Sequence, residues 1–313
     1  MKFSKAVMVG ELNLDKEFQQ RLDENIEKKA YAKDMTDAKP QLADSDALFV
    51  GFGTKVDKGA MDSAPKLKYV GVYATAYDPI DTEYAKSKNI TVCNLGGYST
   101  EGVAEFVFSM LLNHMRNIDR AKERIRKGDN EFLPAELAKN RELKDKVFGV
   151  IGLGRIGSRV SEIALGFGSD VRYWSRNRKK EFESKGVKYE DADSLIPKAD
   201  ILTLHLAVTD GTKGFLNADR IKKIKSGAIL VSTVGLELID VDALEERLEK
   251  NDITFIVEDS GDLGDSIKKL GKYGNCVVYP PVALTSESLV ARQRTFVDNV
   301  EGFLKGKPQN KVN

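Results

Sequence analysis

Short apolar runs recur along the chain, each followed by a longer polar stretch with apolar residues at helical spacing. AVMVG, ALFVGFG, KYVGVYA and ITVCN punctuate residues 1 to 95, and KVFGVIGLG, DVRYWS, ILTLHL, AILVST, ITFIVED and CVVYPPVA do the same over 146 to 283. Strand alternating with helix in this way predicts parallel sheets with helices on both faces. Two such series predict an α/β protein of two doubly wound, Rossmann-like domains. Between the series, STEGVAEFVFSMLLNHMRNIDRAKERIRKG reads as one helix of about 30 residues, capped by Ser99 or Thr100. Its apolar face exceeds what one sheet covers, which predicts a homodimer. The closing stretch LTSESLVARQRTFVDNVEGFLKGK predicts a capped helix that ends at Gly306 and returns to the first domain.

Composition narrows the function classes. A chain of 313 residues with 41% hydrophobic content is ample for two cores. The 49 Lys and Arg nearly balance 48 Asp and Glu, so no global field favours nucleic acid or an anionic membrane as partner. The N-terminal apolar stretch is too short and too interrupted for a signal peptide or membrane span, and a cytoplasmic location is expected. Cys93 and Cys276 each sit in a strand-like apolar run and read as reduced core residues. With His114 and His205 the only histidines, there is little material for a zinc site, and no metal is expected.

The most specific signal is VIGLGRIGSRV. Gly152, Gly154 and Gly157 follow an apolar strand and open a helix. In that setting the first glycine permits a tight turn, the second lets backbone approach a pyrophosphate, and the third lets helix and strand pack closely. Arg155 and Ile156 belong to the same turn, whose helical N–H groups would face the anion. Eighteen residues after Gly157, the strand DVRYW ends in Ser175, followed by Arg176, Asn177, Arg178, Lys179 and Lys180. A carboxylate there would repel an adenosine 2′-phosphate, whereas a hydroxyl followed by guanidinium groups holds it. The pattern predicts NADP(H) in preference to NAD(H), against the alternative of a solvated basic loop.

With these residues in view, the chain resembles the D-2-hydroxyacid dehydrogenase family, especially its glyoxylate and hydroxypyruvate reductase branch, over nearly its full length. YVGVYATAYDPIDTEYAKSKNITVCNLGGYSTEGVAEFVF is similar to the substrate loop and interdomain crossing, and HLAVTDGTKGFLN to the segment after the fourth strand of the cofactor domain. The resemblance implies a split substrate domain (1–98 and 285–313) around a dinucleotide-binding domain (99–284), with a dimer formed largely by the cofactor domains. It also implies cofactor contacts at His205, Thr233, Val234, Gly235 and Asp259, in addition to the Gly-rich turn and the basic loop.

The resemblance departs at the chemistry. The family uses an Arg, in a pattern like N-T-A-R-G, to bind the substrate carboxylate and polarise the carbonyl. A His in a pattern like T-P-H-x-A, paired to a Glu, transfers the proton. Here STVGLELID places Gly235 at the Arg position, YPPVA places Pro281 at the His position, and EDSGDLGD leaves no residue aligned with the Glu. A missing general acid alone costs about 10²–10⁴ in rate. Tyr73, Tyr77, Tyr98 and Tyr279 lie in segments expected to rim the cleft, where a phenol can donate to a carbonyl oxygen; as amphipathic residues they serve equally as packing. The acidic run Glu258, Asp259, Asp262 and Asp265 either lines the site, repelling an oxo acid and tolerating a cation, or forms a solvated loop. Two functions stay open: an oxidoreductase acting on an unidentified small molecule other than a simple 2-oxo acid, and a pseudoenzyme that binds the dinucleotide for regulation.

Overall fold

The computed structural model describes residues 1–10, 12–129, 140–259 and 264–313. The chain divides into two compact units, Met1–Ser99 with Ser286–Asn313, and Thr100–Thr285. Among the described residues, the first unit carries β1 (Ala6–Val9), β2 (Lys29–Ala32), β3 (Ala47–Val50), β4 (Tyr69–Val72) and β5 (Thr91–Cys93) in the order β2-β1-β3-β4-β5. The second carries β6 (Val147–Ile151), β7 (Asp170–Trp174), β8 (Lys188–Tyr189), β9 (Ile201–Leu204), β10 (Ile229–Ser232), β11 (Thr254–Glu258) and β12 (Cys276–Tyr279) in the order β12-β11-β10-β9-β6-β7-β8. All ten apolar runs form strands and the pairing is parallel throughout, in β1 with β3 and in β6 with β9 as at the edges. Strands β1, β3, β4, β9 and β10 are buried along their whole length, as helices on both faces require.

The apolar pattern does not announce β2 (KAYA) and β8 (KY). Both are edge strands with exposed lysines, where one side meets water and charge is tolerated.

The stretch expected as one long helix is two, Thr100–Met115 and Ile118–Arg126. Asn117 between them adopts a left-handed backbone at φ 50°, a conformation Asn tolerates better than most residues. Asn113 Nδ2 donates to Asp119 Oδ2 across the break at 2.6 Å. The first helix buries Ala104, Val107, Phe108, Met110 and Leu111 in one cluster with Phe148, Val150 and Val231. The apolar face that suggested a second copy of the chain is thus covered inside its own unit. The second helix buries no residue, and Ile118 and Ile125 are 37% and 64% exposed.

The closing helix, Ser286–Leu304, belongs to the first unit and packs Phe296, Val297 and Val300 among Phe3, Phe49 and Tyr69. Gly306 ends the run at φ 73°, a backbone state that favours glycine. Both cysteines are free and buried, and burial pushes their thiols up to about 11. Among the described residues, no helix is long and apolar enough to cross a membrane, and no group of three or more His, Cys, Asp or Glu is placed to hold a metal ion.

Candidate active site

Strand register in the second unit gathers most of the predicted cofactor residues at one edge. Ile151 pairs with Trp174 and Leu204, Leu204 with Ser232, and Ser232 with Val257. The residues one step further along, Gly152, Ser175, His205 and Thr233, therefore stand with the paired Glu258 and Tyr279 at the carboxyl ends of adjacent strands. Ligands of open parallel sheets bind at this edge.

The Gly-rich turn has the geometry its spacing predicts. Gly152 sits at φ 99°, and a Cβ there would come within 2.8 Å of the His205 carbonyl carbon and oxygen. A Cβ on Gly157 would lie 2.0 Å from the Gly152 oxygen, so helix and turn touch backbone to backbone. Above Gly154 the space is open, with nothing within 4 Å. Gly154 opens the helix Arg155–Gly166 with no side-chain cap, leaving first-turn N–H groups for an anion. Arg155 is exposed there, while Ile156 is partly buried against the core. His205 holds both ring nitrogens buried without a partner among the described residues, and burial pushes its pKa down to about 4. An open cradle over a bare helix N-terminus, backed by an unsatisfied neutral imidazole, fits a dinucleotide.

The basic loop divides its labour. Ser175 is buried and its hydroxyl donates to the Asn177 carbonyl at 2.6 Å, which fixes the turn. Arg178 is engaged by the protein itself: it forms an ion pair with Glu183 at 2.6 Å and stacks on Tyr189 at 4.8 Å. Arg176 and Asn177 are exposed, and Arg176 reaches towards Gly211, whose Cβ would stand 4.0 Å from its Nη2. The guanidinium available to a 2′-phosphate is that of Arg176.

Carboxylates lie near Gly235 and Pro281, the two positions that the sequence reading aligns with the family's Arg and His. Gly235 follows Thr233 and Val234 in the turn after β10, and a Cβ on it would meet Glu237 Oε2 at 2.1 Å and Val208 Cγ2 at 3.5 Å. The Glu237 side chain thus lies over the position. Pro281 is exposed in a turn where the Val282 N–H donates to the Pro280 oxygen at 2.9 Å. Two residues on, the Ala283 N–H donates to Glu258 Oε1 at 3.2 Å. Desolvation raises the Glu258 carboxyl above its ordinary range, and the Ala283 amide opposes that only in part.

The acidic run is not one cluster. Glu258 ends β11, and Asp259 continues from it with its N–H on the Tyr279 oxygen at 2.9 Å. Asp265 lies in the first turn of the helix Gly264–Leu270 and pairs with Lys268 at 3.0 Å. Asp262 lies outside the described residues. Glu237 went unnoticed in the sequence because nothing marks a carboxylate two residues from a glycine. Glu258 carried a faint signal, as a charged end to the apolar run TFIVE.

The tyrosines part company. Tyr279 accepts from Asn113 Nδ2 at 2.6 Å and packs edge-on against Phe106, so its hydroxyl serves the second unit's interior. In the first unit, Tyr73 is buried with its hydroxyl donating to the Asn13 carbonyl at 3.4 Å, Tyr98 packs on the core, and Tyr77 is exposed.

A parallel sheet with a glycine cradle, a bare helix N-terminus and a basic loop after its second strand defines a dinucleotide-binding α/β protein. The chain belongs to the D-2-hydroxyacid dehydrogenase family: residues 108–282 match the family model described as the D-isomer specific 2-hydroxyacid dehydrogenase, NAD binding domain. A glyoxylate reductase of Aeropyrum pernix is 33% identical over 280 residues, 86% of this chain and 83% of the relative. A hydroxypyruvate reductase of Blautia hydrogenotrophica is 28% identical over 288 residues, 90% and 88% of the two chains. Among solved structures, an acyclic imino acid reductase in complex with NADPH and D-arginine superposes with a TM-score of 0.84 at 28% identity, covering 99% of this chain and 100% of the other. A D-lactate dehydrogenase from Aquifex aeolicus complexed with NAD and lactic acid superposes with a TM-score of 0.79 at 27% identity over 96% of each chain.

Proposed function

We propose that this chain is an NADP(H)-dependent reductase of a C=N group, acting on an imino acid in place of a simple 2-oxo acid. One observation carries the reading: Glu237 covers position 235, and Glu258 is tied to the turn that holds Pro281. A carbonyl takes hydride only as its oxygen becomes anionic, so it needs a cation or an acid at that oxygen. An iminium already carries positive charge, and hydride addition discharges it. Carboxylates at these two positions oppose an oxyanion and favour the iminium.

Bound NADPH supplies the hydride to the imine carbon. The C=N electron pair moves to nitrogen, and the resulting amine takes a proton from solvent. Glu258 and Glu237 hold the cationic nitrogen. Arg176 selects the 2′-phosphate, on a turn that Ser175 fixes. The likeness to an imino acid reductase solved with NADPH and D-arginine supports this assignment. In the same reading the second unit holds the dinucleotide and the first binds substrate. The exposed Ile118 and Ile125 support a homodimer.

The loss of both family catalytic side chains also favours a second reading, a binder without turnover. The two separate by following NADPH oxidation with glyoxylate and with hydroxypyruvate, each with and without ammonium. Oxidation that depends on ammonium is expected. Equal turnover without ammonium contradicts the imine reading, and silence under every condition supports the binder.

A further inference from the structure

The basic loop that follows β7 and the turn that follows β9 flank the Gly-rich turn, because β6 lies between β7 and β9 in the sheet. Across this opening Arg176 faces a residue with no side chain. A Cβ on Gly211 would stand 4.0 Å from Arg176 Nη2 and 4.0 Å from Thr209 Oγ1. Backbone geometry does not call for glycine there: Gly152 and Gly214 adopt positive φ, at 99° and 64°, and Gly211 does not. What the missing side chain leaves is room in front of the guanidinium.

The turn that carries Gly211 is braced on one side and unspent on the other. Thr209 O accepts from the Thr212 and Lys213 N–H groups, each at 2.9 Å, the Thr209 N–H donates to Thr212 Oγ1 at 2.8 Å, and the Thr212 hydroxyl donates to the Ala207 oxygen at 2.6 Å. The N–H groups of Asp210 and Gly211, by contrast, donate to no protein atom among the described residues, and Arg176 makes no hydrogen bond or ion pair among them. Asp210 is the only acid between Ala207 and Lys213, and its carboxylate pairs with Lys213 at 3.0 Å, which offsets its charge. A phosphate dianion is held best by several donors at once, a guanidinium and backbone N–H groups among them. We infer that Gly211 is a specificity-determining residue for the cofactor: the adenosine 2′-phosphate lodges between the Arg176 guanidinium and the Asp210–Gly211 turn, in the space that a side chain at 211 would fill. The inference rests on the reading of the cofactor as NADP(H) and adds a steric condition to it. Charge at Arg176 selects the phosphate only while position 211 is bare.

Calorimetric titration of NADPH and NADH into two variants tests this. Gly211→Val is expected to weaken NADPH roughly tenfold, and Gly211→Asp, whose carboxylate would engage Arg176 and repel the phosphate, roughly a hundredfold. Both should leave NADH affinity and melting temperature unchanged, since nothing stands nearer than 4.0 Å to the new Cβ. Should the variants fail to fold, adenosine 2′,5′-bisphosphate should shift the amide resonances of Asp210 and Gly211 in the wild-type protein, where adenosine 5′-monophosphate does not. Wild-type NADPH affinity in both variants, equal weakening of the two cofactors, or the same shifts with both nucleotides overturns the role of Gly211. The two readings fail separately. A wild-type preference for NADPH that is lost in Arg176→Ala but kept in Gly211→Asp retains NADP(H) and sinks Gly211. Equal affinity of the wild-type protein for both cofactors sinks the NADP(H) reading itself, and Gly211 with it.

Discussion

His205 shows what one buried side chain does to the pH response of the molecule. Its imidazole ordinarily titrates near 6.5 but is pushed down to about 4 by desolvation, with neither nitrogen satisfied. Above 6.5 the ring is neutral both folded and unfolded. As pH falls below that value, the unfolded chain takes up a proton that the folded chain refuses until about 4, so stability is lost across this window. The gap corresponds to a loss of about 3 kcal/mol. His205→Leu should therefore show a smaller drop in stability between neutral pH and the acid end of the window. Urea melts of both proteins measure it, and equal acid sensitivity contradicts this account of His205. A second residue-level test concerns the basic loop. Arg176→Ala should weaken NADPH roughly tenfold and leave NADH unchanged. Arg178→Ala should affect both cofactors alike, because its partners are Glu183 and Tyr189. Calorimetry with the two cofactors decides, and a preference for NADH in the wild-type protein overturns the phosphate reading. The sequence displayed these arginines as equivalents. Only the fold, which brings Glu183 and Tyr189 to Arg178, tells them apart.

The turn between β6 and the helix Arg155–Gly166 was legible in the sequence because its glycines answer to backbone geometry, which spacing alone encodes. Two of them make opposite predictions. Gly157→Ala places a methyl 2.0 Å from the Gly152 oxygen and must push helix from turn, so both melting temperature and NADPH affinity should fall. Gly154→Ala meets nothing within 4 Å and keeps a φ of −80° that alanine adopts, so the melt should hold while NADPH binding weakens. A Gly154→Ala protein that binds NADPH normally places the pyrophosphate elsewhere. The buried strands were legible for a similar reason, since burial on both faces demands unbroken apolar runs. What escaped reading was set by tertiary context. β2 and β8 are polar because they are edges. The break at Asn117 depends on one residue in a left-handed conformation inside an otherwise helical pattern. Glu237 reaches position 235 only because Leu236–Leu238 forms a short 3₁₀ turn.

At the scale of the whole chain, the reason for expecting a dimer moves from one helix to the next. Thr100–Met115 is covered within its own unit, whereas Ile118–Arg126 leaves Ile118 and Ile125 in the open. Light scattering should give the mass of two chains, and Ile118→Asp with Ile125→Asp should lower it towards one, because charge at an apolar contact is strongly disfavoured. A monomeric wild-type protein contradicts the dimer. The central claim of the proposed function belongs to the second unit: carboxylates beside Gly235 and near Pro281 favour a C=N group over the carbonyl of a 2-oxo acid. The most direct measurement is the identity of the product formed from hydroxypyruvate, NADPH and isotopically labelled ammonium, resolved by chiral chromatography and mass spectrometry. Labelled serine is the predicted product, with the 2-hydroxy acid absent. Formation of the 2-hydroxy acid at a comparable rate, with or without ammonium, would contradict the account.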